Sequence, residues 1–196
     1  TDEAKILVDS EGNPTDVVLR ERGEGEKLIE DFMVKANETV ASHFFFMELP
    51  SIYRVHGEPK EERLVKFLKI IKALGYNIKT DINKMSPRVI QKLVDEIKTH
   101  EEFKVLASKL LSSMDKAVYS PDNIGHFALA SKIYTHFTSP IRRYPDLMIH
   151  RLLDEYFFSS DGVTDEKIRH FQEILPDITE RSSERERNSE DCERDV

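Results

Sequence analysis

Hydrophobic and polar positions first indicate a β-hairpin near the start of the chain. Residues 4–21 carry two short apolar runs on either side of a turn-forming segment, Ser-Glu-Gly-Asn-Pro at 10–14. A two-stranded hairpin is marginally stable alone, so these strands are expected to belong to a larger sheet. Since no strand-rich segment follows, we expect the missing strands to precede residue 1, which would make the chain a fragment.

Most other apolar positions recur at intervals of three and four residues, which predicts helices. Ser86 followed by Pro87 is typical of a helix start, and Gly75 of a helix end. The charged C-terminal run fits either a solvated helix or a frayed tail. The expected fold class is α+β and mainly helical, with an N-terminal β-hairpin and about six helices. Helices are predicted at 23–47, 58–75, 86–97, 101–114, about 140–158 and from 165 onward, and extended segments at 51–57, 116–120 and 126–131.

Composition argues against several classes of protein. No apolar run approaches the roughly 18 residues of a membrane span, and no charged-then-apolar leader opens the chain. The single cysteine, Cys192, cannot form an internal disulfide, and the usual cysteine-based zinc site is excluded. These features predict a cytoplasmic protein with no membrane partner.

The net charge of −8 argues against a nucleic-acid-binding surface that extends over the whole chain. The acidity is concentrated in 158–196, which holds 12 acidic and 6 basic residues, whereas 121–157 holds four of each. Two arginines in that neutral region can therefore dominate the local potential.

Those arginines lie in "HFTSPIRRYPDLMIHRLL", residues 136–153. We expect a helix with Ser139 as N-cap and Pro140 as its first residue, or one that begins only at Pro145. Either start places the arginines at a helix N-terminus, where free N–H groups favour an anion. The alternative is that Arg142 pairs with Asp146 four residues later. One face is predicted to be buried (Ile141, Tyr144, Leu147, Met148, Leu152, Tyr156) and the other polar (Arg142, Arg143, Asp146, His150).

For the other residues that could carry chemistry, a structural role is favoured over a functional one. The histidines at 43, 56, 126, 136 and 150 do not follow a metal-binding helix pattern and are expected to be core or hydrogen-bonding residues. The carboxylates show no internal cluster suited to Mg²⁺. The triplet Phe44–Phe45–Phe46 could stack on bases, although core packing is the favoured interpretation.

Three segments resemble the RNB family of exoribonucleases: "LIEDFMVKANETVA" (28–41), "LPSIYRVHGEP" (49–59) and "HFALASKIYTHFTSPIRRYPDLMIHRLL" (126–153). Together they extend the resemblance over almost the whole chain. It implies the C-terminal portion of an RNB catalytic domain, and a parent enzyme that hydrolyses single-stranded RNA processively from the 3′ end to nucleoside 5′-monophosphates. The activity implied is Mg²⁺-dependent, single-stranded RNA is the expected partner, and no obligate protein partner is evident.

The resemblance also implies roles for individual residues. Arg142 matches the arginine that contacts the scissile phosphate, and Glu30 a glutamate near the terminal ribose. Arg143 is expected either at the substrate or in a structural role, and His126 and Asp146 in structural roles. Ser139, Thr138 and Tyr134 are expected to shape the wall of the RNA channel.

One departure limits what this chain is expected to do. The aspartate segment that binds magnesium in the family lies upstream of the matched part and has no counterpart in these 196 residues. The flanking OB-type domains are also missing, so the isolated chain is expected to be inactive and to bind no metal. Two other functions stay open, a non-catalytic RNA-binding module and a helical interaction scaffold.

Overall fold

A computed structural model describes residues 3–20, 23–75, 86–98 and 102–194. The chain divides into two compact units, Thr1–Ala36 and Asn37–Val196. In the first unit, strands β1 (Glu3–Val8) and β2 (Pro14–Arg20) pair antiparallel, which confirms the predicted hairpin. Gly12 lies in the connecting turn with φ +87°, a conformation that favours glycine.

Helix α1 spans Glu24–Phe46, within one residue of its predicted bounds at each end. In the first unit, its Leu28, Ile29 and Phe32 side chains are more than half exposed. In the second unit the same helix buries Ala41 and Phe44. Of the aromatic triplet, only Phe44 is a core residue, whereas Phe45 and Phe46 are exposed.

The second unit contains a short sheet, and three helices that pack around a hydrophobic cluster of their own. Strands β3 (Tyr53–Val55) and β4 (Val118–Ser120) pair antiparallel, with Arg54 opposite Tyr119. Helices α2 (Glu61–Ala73), α3 (Pro87–Ile97) and α4 (Phe103–Ser113) bury one apolar face each in this cluster. Ser86 accepts a hydrogen bond from the N–H of Val89, so the predicted N-cap of α3 is confirmed.

A second cluster joins α1 to the last two helices. Helix α5 spans Tyr144–Leu153 and continues into a π-helical turn, Asp154–Phe158, and helix α6 spans Asp165–Arg194. The solvated-helix interpretation of the C-terminal run is therefore correct for the residues described. The buried members of this cluster are Phe44, Leu49, Ile52, Tyr119, Met148, Ile149, Leu152, Tyr156, Phe171 and Leu175.

The architecture is mainly helical α+β, as predicted. The prediction that 126–131 is extended is wrong in part, since Phe127–Leu129 form a 3₁₀ turn. The turn is closed by Ala130 at φ 53° and by the N–H of Leu129, which donates to Nδ1 of His126. Within the described ranges, no helix is long and apolar enough to cross a bilayer.

Candidate functional site

The loop at residues 137–143 leads into α5 and carries both arginines. The helix begins at Tyr144, so the predicted start at Ser139 and Pro140 is wrong, and the alternative start at Pro145 is right to within one residue. Ser139 O accepts the N–H groups of Arg142 and Arg143, which makes a single turn. Arg143 then has extended backbone (φ −124°, ψ 118°), and this breaks the helical path before Pro145.

Arg142 and Arg143 have opposite environments. A terminal nitrogen of Arg143 lies 2.7 Å from Oδ1 of Asp146, and the two side chains are 20% and 0% exposed. Arg142 is exposed, and its guanidinium forms no hydrogen bond or ion pair within the described part of the chain. The predicted alternative pairing of Arg142 with Asp146 is therefore wrong, because the extended Arg143 backbone places Arg143 on the side of the carboxylate.

The burial of Asp146 shows that the predicted division of α5 into a buried and a polar face is wrong in part. Asp146 was expected on the polar side, but Oδ1 accepts the N–H of Ser139 at 2.7 Å as well as the Arg143 contact. Two donors allow a charged group to be buried at the start of α5. Conversely, Ile141 and Tyr144, which were expected to be buried, are exposed, since Ile141 precedes the helix and Tyr144 is its first residue.

Of the residues that the sequence predicts in the channel wall, Thr138 and Ser139 lie in the same loop and Tyr134 precedes it. Tyr134 is buried, and its hydroxyl accepts a hydrogen bond from Nδ2 of Asn37 at 3.0 Å. Thr138 and Ser139 are half-buried, and the N–H of Thr138 donates to Asn37 Oδ1 at 3.3 Å. Glu30 belongs to the first unit, where it lies on an exposed turn of α1.

Three histidines make buried or partly buried contacts near the strands and just before this loop. The rings of His56 and His126 stack at 5.3 Å, and Nδ1 of His136 lies 2.9 Å from the Tyr119 hydroxyl. Burial, reinforced by the charge of Arg54 and other neighbours, lowers the pKa of His126 to about 4 and that of His136 to about 3. Their contacts agree with the prediction of core and hydrogen-bonding histidines.

The residues do not fit a metal centre. In the ranges that the structure describes, no group of three or more His, Cys, Asp or Glu side chains is placed to hold a metal ion. Asp146, the buried acid at the start of α5, is already paired with Arg143. No step of the chemistry is therefore assigned to a metal held by these residues.

Sequence reasoning missed two residues that shape the site. Arg54 on β3 lies over the Tyr119 ring at 4.6 Å and contacts Glu186 of α6 at 2.6 Å. Asn37 accepts two backbone N–H groups of the loop, from Phe137 at 2.9 Å and from Thr138. The available signal was that a polar side chain, Asn37, stands within an otherwise apolar face of α1.

Comparison with known proteins places this geometry in a family. Residues 1–159 match the RNB domain. Ribonuclease R of Thermotoga maritima is 45% identical over 196 residues, which cover all of this chain and 28% of the relative. The chain thus spans less than a third of the length of the curated relatives it matches.

Solved structures agree with the sequence match. Mycoplasma genitalium RNase R, in complex with ribose methylated single-stranded RNA, superimposes with a TM-score of 0.90 at 32% identity, over all of this chain and 30% of that one. Yeast Ssd1, described as a pseudonuclease, gives a TM-score of 0.65 at 30% identity, over 83% of this chain and 20% of that one. The resemblance to the RNB family and to bacterial ribonuclease R is confirmed, and the chain belongs to the RNB domain family.

Proposed function

We propose that this chain is the C-terminal part of the RNB catalytic domain of a processive 3′-to-5′ exoribonuclease, which hydrolyses single-stranded RNA to nucleoside 5′-monophosphates. One observation carries the proposal. Arg142 presents a guanidinium to solvent beside the start of α5, while its neighbour Arg143 is neutralised by a buried carboxylate. Similarity to ribonuclease R along the whole chain supports the assignment.

The proposed role of Arg142 is to contact the scissile phosphate. A guanidinium offers several N–H donors in a fixed plane and can bind two phosphate oxygens at once. Because charge on those oxygens is redistributed during phosphoryl transfer, a donor that is already in place stabilises the transition state. An arginine that an internal carboxylate already binds, such as Arg143, is less available for this contact.

The remaining residues are proposed to recognise the RNA strand. Glu30 would accept a hydrogen bond from the terminal ribose, where a 2′-hydroxyl distinguishes RNA from DNA. Ser139, Thr138 and Tyr134 would form part of the channel wall. The internal contacts of Arg143 favour the structural role among the two that the sequence left open.

The family resemblance implies Mg²⁺ in the complete enzyme, and the described residues of this chain supply no centre for it. The 196-residue chain is therefore expected to release no nucleotide from RNA, with or without added Mg²⁺. Incubation of the purified chain with a labelled single-stranded oligoribonucleotide tests this. Release of nucleoside monophosphates on addition of Mg²⁺ would show that the chain holds its own metal.

Arg142→Ala in the full-length protein tests the phosphate contact. We expect the rate of RNA hydrolysis to fall by roughly 10²-fold or more while much of the RNA affinity is retained. Arg181→Ala is the matched control, since Arg181 is an exposed arginine on α6 paired with Asp177, and its rate should be unchanged. A rate for Arg142→Ala equal to that of the parent would remove Arg142 from the mechanism.

A second function, RNA binding without catalysis, is favoured by the likeness to yeast Ssd1, a pseudonuclease. The two functions share the same fold in this region, so the discriminating feature is the metal-binding aspartate segment in the full-length protein. If that segment is absent and the protein binds single-stranded RNA without shortening it, the binding function replaces the enzymatic one.

A further inference from the structure

Side chains, rather than secondary structure, satisfy the first three backbone N–H groups of the loop at residues 137–143. The N–H groups of Phe137 and Thr138 donate to Oδ1 of Asn37, and the N–H of Ser139 donates to Asp146. Three consecutive backbone donors thus depend on two side-chain oxygens. Contacts with side chains outside the loop, on α1 and α5, therefore determine the path of its backbone.

Asn37 is well placed to hold this path. Its side chain is buried (3% exposed), and the Nδ2 donor is fixed by the Tyr134 hydroxyl at 3.0 Å. This contact turns Oδ1 toward the loop, where it accepts from Phe137 at 2.9 Å. The oxygen and the nitrogen of the Asn37 amide both form hydrogen bonds, so replacing either atom would break a buried hydrogen bond.

A second contact acts on the same residue of the loop. The ring of His150 stacks on Phe137 at 4.3 Å, and its Nε2 lies 3.0 Å from the Phe137 carbonyl oxygen. Phe137 is thus held from α1 by Asn37 and from α5 by His150. The loop is fixed between two helices just before its arginines.

Arg142 depends on this backbone for its position. Its guanidinium has no hydrogen bond or ion pair within the part of the chain that the structure describes. Its backbone N–H reaches only Ser139 O, at 3.3 Å. A side chain without lateral contacts is aimed by its own backbone, and misplacement of a catalytic group by about 1 Å is enough to lower a rate substantially.

We propose that Asn37 is a positioning residue for Arg142: it holds the loop at 137–139 and so places the guanidinium for phosphate contact. Asn37 itself does not touch the RNA. The inference rests on the proposed function, because it assumes that Arg142 serves RNA hydrolysis.

A double-mutant cycle in the full-length protein tests the coupling. Single-turnover hydrolysis of a labelled single-stranded oligoribonucleotide is measured for the parent, Asn37→Ala, Arg142→Ala and the double variant. We expect Asn37→Ala to slow hydrolysis by about 10-fold or more in the parent, and by less than about 2-fold where Arg142 is already alanine. Affinity for the oligonucleotide should change less than the rate.

Thr135→Val is the matched control. Thr135 is also buried, but its hydroxyl donates to Ile52 O, which lies outside the loop. Its effect on the rate should be the same factor in both backgrounds. Asn37→Asp, which keeps an acceptor for the two N–H groups, should recover part of the rate lost in Asn37→Ala.

The outcomes separate the two proposals. If Arg142→Ala slows hydrolysis and Asn37→Ala slows it by the same factor in both backgrounds, the positioning role is overturned and the proposed function stands. If Arg142→Ala leaves the rate unchanged, the positioning role fails together with the proposed phosphate contact of Arg142, whereas the proposed function itself fails only if the parent does not shorten the RNA. Should Asn37→Ala not fold, Asn37→Ser, whose shorter side chain cannot reach both N–H groups, replaces it in the same cycle with the same criteria.

Discussion

The hydroxyl of Tyr119 lies 2.9 Å from Nδ1 of His136, and both groups are held neutral. Burial raises the pKa of Tyr119 to about 12. Burial, with further contributions from the charges of Arg143 and Arg54, lowers the pKa of His136 to about 3. A neutral ring beside several arginines avoids charge repulsion at the base of the loop that carries Arg142.

This neutrality predicts that the fold weakens in mild acid. In the unfolded chain His126 and His136 titrate near 6.5, whereas their folded pKa values are about 4 and about 3. Below pH 6.5 the unfolded chain binds protons that the folded chain does not, so stability is full above this pH and is lost as the pH falls. We expect a loss of about 1 kcal/mol per ring by pH 5.5, measured by urea unfolding at pH 7.5 and 5.5.

His136→Gln is the control for that pH dependence. Glutamine keeps a polar contact for the Tyr119 hydroxyl but does not titrate. The stability of the variant should therefore fall less than that of the parent between pH 7.5 and 5.5. An equal loss of unfolding free energy in the parent and the variant would show that His136 is not the titrating group.

The Arg143–Asp146 pair predicts a large loss of stability when it is broken. Asp146→Ala would leave the Arg143 guanidinium, which is 20% exposed, without its counter-ion and the Ser139 N–H without an acceptor. Removal of one partner of a buried pair costs about 3–5 kcal/mol. Asp177→Ala, which breaks the exposed pair with Arg181, should cost less than about 1 kcal/mol. Urea unfolding of both variants measures the difference, and similar losses would contradict the burial of Asp146.

Helix α5 and the loop before it offer a matched pair of isoleucines. Ile149 is fully buried in the cluster shared with α6, whereas Ile141 is fully exposed. Ile149→Ala is expected to lower the free energy of unfolding by about 2–5 kcal/mol, because it leaves a cavity. Ile141→Ala should change it by less than about 0.5 kcal/mol. A large loss for Ile141→Ala would indicate that this side chain is packed, as the helix periodicity had suggested.

Local patterns were sufficient for most of the helices and for the hairpin. The Ser86–Pro87 start of α3 and the turn before β2 are signals contained within a few residues, and the structure confirms both. Periodicity identified α1 as a helix, but it does not say what an apolar face packs against. Leu28 and Phe32, which share the pattern of the buried Phe44, are exposed.

The loop before α5 was beyond local prediction because distant residues determine it. Asn37 is 100 residues away from Phe137 along the chain, yet it holds the backbone of that residue. Asp146 was expected on the polar face because helix periodicity cannot show that a carboxylate will accept the Ser139 N–H. The sequence suggested Arg142 as the partner of Asp146, and only this geometry shows that Arg143 takes the carboxylate instead.

Adjacent serines on α6 provide the last prediction. Ser183 is buried, and its hydroxyl accepts the N–H of Tyr119 at 2.9 Å while donating to Thr179 O, so it joins α6 to β4. Ser183→Ala would leave that buried N–H unpaired and should lower the free energy of unfolding by about 1–3 kcal/mol. Ser182 is half-buried, and its hydroxyl donates to Ile178 O of the same helix. Ser182→Ala should therefore cost less than about 0.5 kcal/mol. Urea unfolding of the two variants measures this difference. Equal losses of unfolding free energy would mean that the contact between α6 and β4 does not depend on Ser183.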